Sequence, residues 1–390
     1  MGRIRWGRLF RRGMAVCLAT ISLWLLVLGA GAHALTQGLD ALGGSGAFVE
    51  AVLTAELGDT SESPLPFLLG LAVRQSPLFA ANLDGAGSLV PQLPAPDVEI
   101  LPNAQPAPDH DDVHDQPPEA TVAPEDIVER TLVPTNDQGY VTGGGLYLYN
   151  RTDHTVDLAE ALDRELSFTL APADQGPQIL IIHTHATEAY TPDGTDIYVP
   201  SDSNTRTTDE SYNMLRVGDE MERVFTEMGL SVLHDRGLYD YPQYNGAYGR
   251  SGPAVEEYLA QYPTIKIVLD VHRDALIGTD GTVYKVATNV DGAKTAQVML
   301  VVGSAPEGGG HPNWEENLAL CAKLQKSLDT LYPTLARPMA LRNSIYTQNR
   351  SVGSFLVEVG SHGNTLQEAL AGARDFARCA GAVFLGLVKE

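Results

Sequence analysis

From about residue 131 onward the sequence predicts an α/β fold, a three-layer, mainly parallel sheet with helices on both faces. Three observations carry that expectation. Short, continuous apolar runs such as "QILII" and "IKIVLDV" have the length and β-branched content of strands buried on both sides. Segments with helical periodicity alternate with these runs. The connections between them are short, as in layered α/β domains.

The elements follow in order. "YLYNRTDHTVDLAEALDREL" predicts a short strand and then a helix, and "QILIIH" a buried strand. A helix is expected from Tyr212 to Met228, closed by Gly229 where a left-handed cap belongs. "LSVLHD" reads as a strand, and Pro253 as the opening of a helix that runs through Tyr258 to Gln261. Further strands are expected at Ile265 to His272, "AQVMLVVG" and "SFLVEVG", with helices from Trp314 to Leu331 and from Thr365 to Lys389. Thr365 and Glu368 have the spacing of a capping box.

The first third of the chain has a different texture. Arg3, Arg5, Arg8, Arg11 and Arg12 precede an apolar run from Gly13 to Leu35 that carries no Asp, Glu, Lys or Arg. A run of that length can cross a hydrocarbon core of roughly 30 Å, with the arginines left in the cytoplasm. The small residues at Ala32 to Ala34 would also suit a cleaved secretory signal, but the apolar stretch is long for one. On either reading the rest of the chain is exported. The expected organisation is an arginine cluster and membrane anchor at 1–36, a juxtamembrane segment at 37–74, a Pro-rich acidic linker at 75–130 and a catalytic domain at 131–390. The linker expectation rests on the twelve prolines between Pro64 and Pro124 and on the lack of Lys or Arg between Arg74 and Arg130. His110 and His114 fall in that acidic stretch and read as solvated linker residues.

With 49 acidic and 26 basic side chains and a formal charge of -23, the chain is a poor candidate for binding nucleic acid. Three cysteines do not form a disulfide framework. Cys17 lies in the apolar run, and Cys321 and Cys379 lie in helical patterns as expected buried thiols.

Ligand sites of open α/β sheets lie at the carboxyl ends of the strands. Three expected strands deliver polar residues there. One ends at His183 and His185 with Glu188 behind them, the next at Asp270, His272, Arg273 and Asp274, and the last carries Glu358. Two histidines and a carboxylate match the ligand count of a catalytic zinc ion that keeps one position for water. A further carboxylate could then move the proton, and the set would hydrolyse an amide. On this reading His185, Glu188 and His272 bind the metal and Glu358 is the acid/base. Glu210, just before the Tyr212 helix, competes with Glu188 for the third ligand position. His183, Asp270, Arg273 and Asp274 are candidates for touching substrate or supporting the ligands. Arg273 and the loop from Tyr241 to Arg250 are the leading candidates for substrate contact. The triplet "HRD" is not a kinase catalytic loop, because Thr279 stands where the loop's Asn would be. No G-x-S-x-G elbow is present to support a serine nucleophile.

The stretches "LIIHTHATEAYTP", "HDRGLYDYPQYNGAYGRSG", "IKIVLDVHRDA" and "FLVEVGSHGNTLQEAL" occur in the order seen in the stage II sporulation protein P family, which the sequence resembles over most of 140–390. That resemblance implies a zinc-dependent N-acetylmuramoyl-L-alanine amidase, with endopeptidase activity, acting on peptidoglycan during engulfment of the forespore. It also implies a lytic transglycosylase as partner and a place in the cell membrane facing the space between mother cell and forespore. Similarity to the broader zinc amidases supports His185, His272 and Glu358. It leaves Glu188 and Glu210 as alternatives, since the ligand glutamate of those enzymes lies just ahead of the helix. A wall-binding scaffold without turnover is the competing function.

Overall fold

The computed structural model describes residues 126–201, 205–305 and 309–389. The expected anchor, juxtamembrane segment and nearly all of the expected linker, with Cys17, His110 and His114, lie outside the described residues. Among the described residues no helix is long and apolar enough to cross a membrane.

The chain builds an eight-stranded sheet from β2 (Val141–Gly143), β3 (Leu146–Asn150), β4 (Ile179–Ile182), β5 (Val232–His234), β6 (Ile267–Asp274), β9 (Val298–Gly303), β10 (Met339–Arg342) and β11 (Ser354–Ser361). Their spatial order is β2-β3-β10-β9-β11-β6-β4-β5. The β2/β3 and β9/β11 pairs are antiparallel and the other neighbours are parallel. A smaller sheet joins β1 (Val128–Arg130), β7 (Tyr284–Val290) and β8 (Ala293–Ala296) in the order β1-β7-β8. The helices are α1 (Leu158–Asp163), α2 (Met214–Glu227), α3 (Ala247–Gln261), α4 (Trp314–Leu331) and α5 (Leu366–Leu385).

Strand alternation divides the core. Ile179, Ile181, Leu269, Val271, Val357 and Val359 point into the main core, which α1, α2, α4 and α5 cover. Leu180, Ile182 and Val268 point the other way, under Val255, Tyr258 and Leu259 of α3. Helices therefore lie on both faces, but four of the five are on one side. Each Leu, Ile, Val or Phe buried in this way contributes about 1.5–3 kcal/mol, and α3 leaves room on its own face for a polar site.

The order of the central strands places that site. After β4 the chain crosses by α2 to β5 on one side, then returns by α3 to β6 on the other side of β4. The connections leave the carboxyl ends of β4 and β6 in opposite directions, which opens a crevice there.

Several boundaries differ from expectation. Val128–Arg130, assigned by composition to the end of the linker, is a strand paired parallel with β7. Pro253 does not open α3 but lies within it, because Ala247 to Gly252 are recruited ahead of it. Ser251 there is buried and its hydroxyl lies 2.9 Å from that of Thr184. The β7–β8 hairpin and β10 have no counterpart in the elements read from sequence. By contrast α4 has the expected ends, Gly229 closes α2 with φ of 90°, and Thr365 and Glu368 form the capping box of α5. Cys321 and Cys379 are buried free thiols.

Candidate active site

His185 and Glu188 sit at the two ends of a four-residue turn just past β4, closed by donation from Glu188 N to His185 O. Two carboxylates hold the turn in place. Asp270 accepts from Thr184 N at 2.8 Å and from Thr184 Oγ1 at 2.7 Å. Asp240 accepts from Thr187 Oγ1 at 2.6 Å. Neighbouring β6 then presents His272 on the α3 side of the sheet, in phase with Asp270 and Asp274.

His185, Glu188 and His272 offer ligand atoms that all lie within 4.8 Å of one another, and all three residues are buried. His185 Nδ1 is 3.5 Å from Glu188 Oε1, and His272 Nδ1 is 3.6 Å from Glu188 Oε2. Zinc bonds of about 2.0–2.2 Å to nitrogen and oxygen set tetrahedral edges of roughly 3.3–3.6 Å. The Glu188 Oε1 atom is buried without a hydrogen-bond partner, as an oxygen reserved for a cation would be. The opposite ring nitrogen of His272, Nε2, lies 2.8 Å from Asp270 Oδ1, which turns Nδ1 toward Glu188. The donor set therefore fits a zinc ion.

The charges agree with this arrangement. Burial pushes the Glu188 carboxyl up, but His185, His272 and Arg273 outweigh it and hold the group well below its usual range. Burial likewise works against a charged His272, and Asp270 with Glu188 overcomes it to raise that imidazole well above 6.5. This is a pocket of negative potential that attracts a proton or a metal ion.

Glu358 stands beside His272 in the parallel β11/β6 register, so the two side chains share a face. It is 5% exposed and its Oε2 has no hydrogen-bond partner. Burial first, and then the charge of Asp274, push its carboxyl up to about 8, with His272 opposing. Just beyond it the register shifts between Glu358 and Ser361, where Gly360 adopts φ of 69°. Bulges of this kind re-aim side chains next to active sites.

The other sequence candidates separate. Glu210 is about half exposed and pairs with Arg236 at 2.7 Å, apart from the cluster. Arg273 does not line the site. Its guanidinium is fully buried and donates to Ala189 O, Thr205 O and Thr205 Oγ1, which ties the loop after Glu188 to β6. Asp274 accepts from Arg337 Nη1 at 2.8 Å, a buried ion pair behind Glu358. His183 projects into the α2 side of the sheet, toward Val271 O and His234. In the Tyr241 to Arg250 loop, Tyr244 stacks on His185 with ring centroids 4.4 Å apart, while Arg250 is engaged with loop carbonyls. Arg206, with its guanidinium 3.9 Å above the Tyr244 ring, and Arg337 were not anticipated from the sequence. Each meets the site from a distant segment and has no local motif.

The family model for stage II sporulation protein P (SpoIIP) matches residues 114–380. A curated relative, stage II sporulation protein P of Bacillus subtilis (strain 168), is 26% identical over 205 residues, covering 49% of this chain and 47% of the relative. The matched stretch thus spans about half the length of that relative. Among solved structures, the CwlD amidase from Clostridioides difficile in complex with the GerS lipoprotein aligns with 54% of this chain and 95% of its own, at 15% identity and a TM-score of 0.32. The N-acetylmuramoyl-L-alanine amidase AmiC2 of Nostoc punctiforme aligns with 54% and 97%, at 14% identity and a TM-score of 0.30.

Proposed function

Because the chain belongs to the stage II sporulation protein P family, we propose that it is a peptidoglycan hydrolase of sporulation that cleaves the amide between N-acetylmuramic acid and the L-alanine of the stem peptide. The observation that carries this reading is the buried convergence of His185, Glu188 and His272 beside the unpartnered carboxyl of Glu358. Endopeptidase cleavage by the same site is part of the proposal, as is a lytic transglycosylase partner. The arginine-flanked apolar run would anchor the chain in the membrane, the Pro-rich stretch would serve as a tether, and the domain from 131 onward would face the wall between mother cell and forespore.

His185, Glu188 and His272 would hold the metal. A zinc ion bound there would supply Lewis acidity, polarising the scissile carbonyl and acidifying a water molecule. The chain's own residues do the rest. Glu358 takes the proton of the attacking water as its oxygen bonds to the carbonyl carbon. It then gives that proton to the amide nitrogen as the C–N bond breaks, leaving a carboxylic acid and a free amine. A carboxyl raised to about 8 by burial is suited to hold that proton between the two steps. Asp270 keeps the imidazole of His272 in place, and Tyr244 backs that of His185.

The test compares the full-length wild type with Glu358→Gln on purified sacculi. Glu358→Gln should keep the fold and lose clearing activity by roughly 10²–10⁴-fold, the usual worth of a general acid/base. Binding without clearing by the wild type would instead support a wall-binding scaffold.

A further inference from the structure

A second cluster of ligand residues lies on the α2 side of the sheet, away from the site above. His234 ends β5, and Asp219 and Glu222 are three residues apart on α2, so both carboxylates occupy one helix face. His234 Nδ1 is 3.3 Å from Asp219 Oδ1 and 3.3 Å from Glu222 Oε2. The imidazole is 2% exposed, whereas the two carboxylates are 37% and 40% exposed.

A hydrogen-bond relay fixes which nitrogen of His234 is free. His183 Nδ1 lies 2.8 Å from the Val271 carbonyl, which can only accept, so Nδ1 carries the hydrogen. His183 Nε2 and His234 Nε2 lie 2.9 Å apart, so His234 spends its Nε2 on that contact. That leaves His234 Nδ1, buried and without a hydrogen bond, as the nitrogen aimed between two carboxylates. A proton on that nitrogen or a metal ion bound to it would balance the two anions.

The spacing favours a metal over a proton. An imidazolium bonded to a carboxylate would sit at about 2.7–2.9 Å. The observed 3.3 Å matches the roughly 3.3–3.6 Å edge of a tetrahedron around zinc. Histidine ligands ordinarily have their other ring nitrogen held by a hydrogen-bond partner, as His183 holds Nε2 of His234. Arg236 Nη1 also approaches Asp219 Oδ1, at 2.6 Å, and its Nη2 holds Glu210. A carboxylate oxygen has two acceptor positions, so this contact leaves one for a metal.

We propose that Asp219, Glu222 and His234 bind a second divalent transition-metal ion of the zinc class, with a fourth position open to solvent. This ion clamps α2 to β5. Through His183 and Val271 it braces the ends of β4 and β6, which carry His185 and His272.

The test is metal content of the full-length chain, measured by mass spectrometry after zinc loading and dialysis. The wild type should retain about two zinc ions, one per four-coordinate site. The Asp219→Asn/Glu222→Gln double variant and, independently, the His185→Ala/His272→Ala double variant should each retain about one. Cobalt(II) in the latter should show tetrahedral visible absorption that is lost when Glu222→Gln is added. The proposal is overturned if Asp219→Asn/Glu222→Gln retains as much zinc as wild type, or if the His185→Ala/His272→Ala variant, folded by circular dichroism, holds none after dialysis. These readouts are independent of peptidoglycan cleavage, so failure of the hydrolase assignment leaves them interpretable.

Discussion

At the scale of single residues, the polar ends of two strands and one interrupted apolar run made much of the site legible. His185, Glu188 and His272 come together because a four-residue turn and a parallel strand pair align them, and Glu358 sits alongside by register. Alternation also contained a warning about Arg273. It is out of phase with Asp270, His272 and Asp274, and the structure spends it on loop carbonyls instead of substrate. Arg206 and Arg337 were not legible, since their importance comes from contacts made by segments far away in the chain. Asp270 supports one firm expectation. It is buried, bonded to Thr184 and 2.8 Å from His272 Nε2, so Asp270→Asn should weaken zinc binding by about 10–100-fold, as loss of an outer support for a ligand histidine does. Competition with a chromophoric chelator measures this directly, and unchanged affinity would remove Asp270 from the role.

At the scale of elements, propensity and packing compete, and two substitutions show which prevails. Gly218 lies inside α2, where Gly→Ala ordinarily stabilises by about 0.5–1 kcal/mol. Here an added Cβ would come within 2.5 Å of the Nε2 atoms of both His183 and His234. Gly218→Ala should therefore destabilise by about 1–3 kcal/mol in urea unfolding, as overpacking does. Asp329 in α4 gives a pH-dependent case. Burial raises its carboxyl to about 6, with Gln325 opposing. The folded state thus prefers the protonated form, an advantage that is complete below 3.8 and lost as pH rises through 6. Asp329→Asn should match wild type near pH 3.5 and exceed it above pH 6 by about 3 kcal/mol, which thermal melts across that range can read. The β7–β8 hairpin had a signal, Asp291-Gly292, and both residues adopt positive φ as a tight turn of this kind requires. That signal is weak in the sequence because the flanking strands mix exposed and buried positions and lack a clean alternation. Pro253 misled for a different reason, since buried Ser251 and Gly252 extend α3 ahead of it through tertiary contacts.

At the scale of the whole molecule, the strand at Val128–Arg130 falls inside the stretch that composition assigns to the Pro-rich acidic linker, because three residues carry too little composition to mark a strand. The strand order was likewise not readable, because apolar runs specify burial but not neighbours. It is this order that sets His185 and His272 side by side at a switch point of the sheet. Hydrolysis of the muramyl amide of peptidoglycan in that crevice is the proposal on which the other assignments depend. The most direct measurement is mass spectrometry of sacculi treated with the full-length, zinc-loaded chain. Stem peptides should be released with free L-alanine amino termini, in step with loss of the muramyl amide and absent with Glu358→Gln. Sacculi that bind the chain yet keep every muramyl amide intact would contradict it.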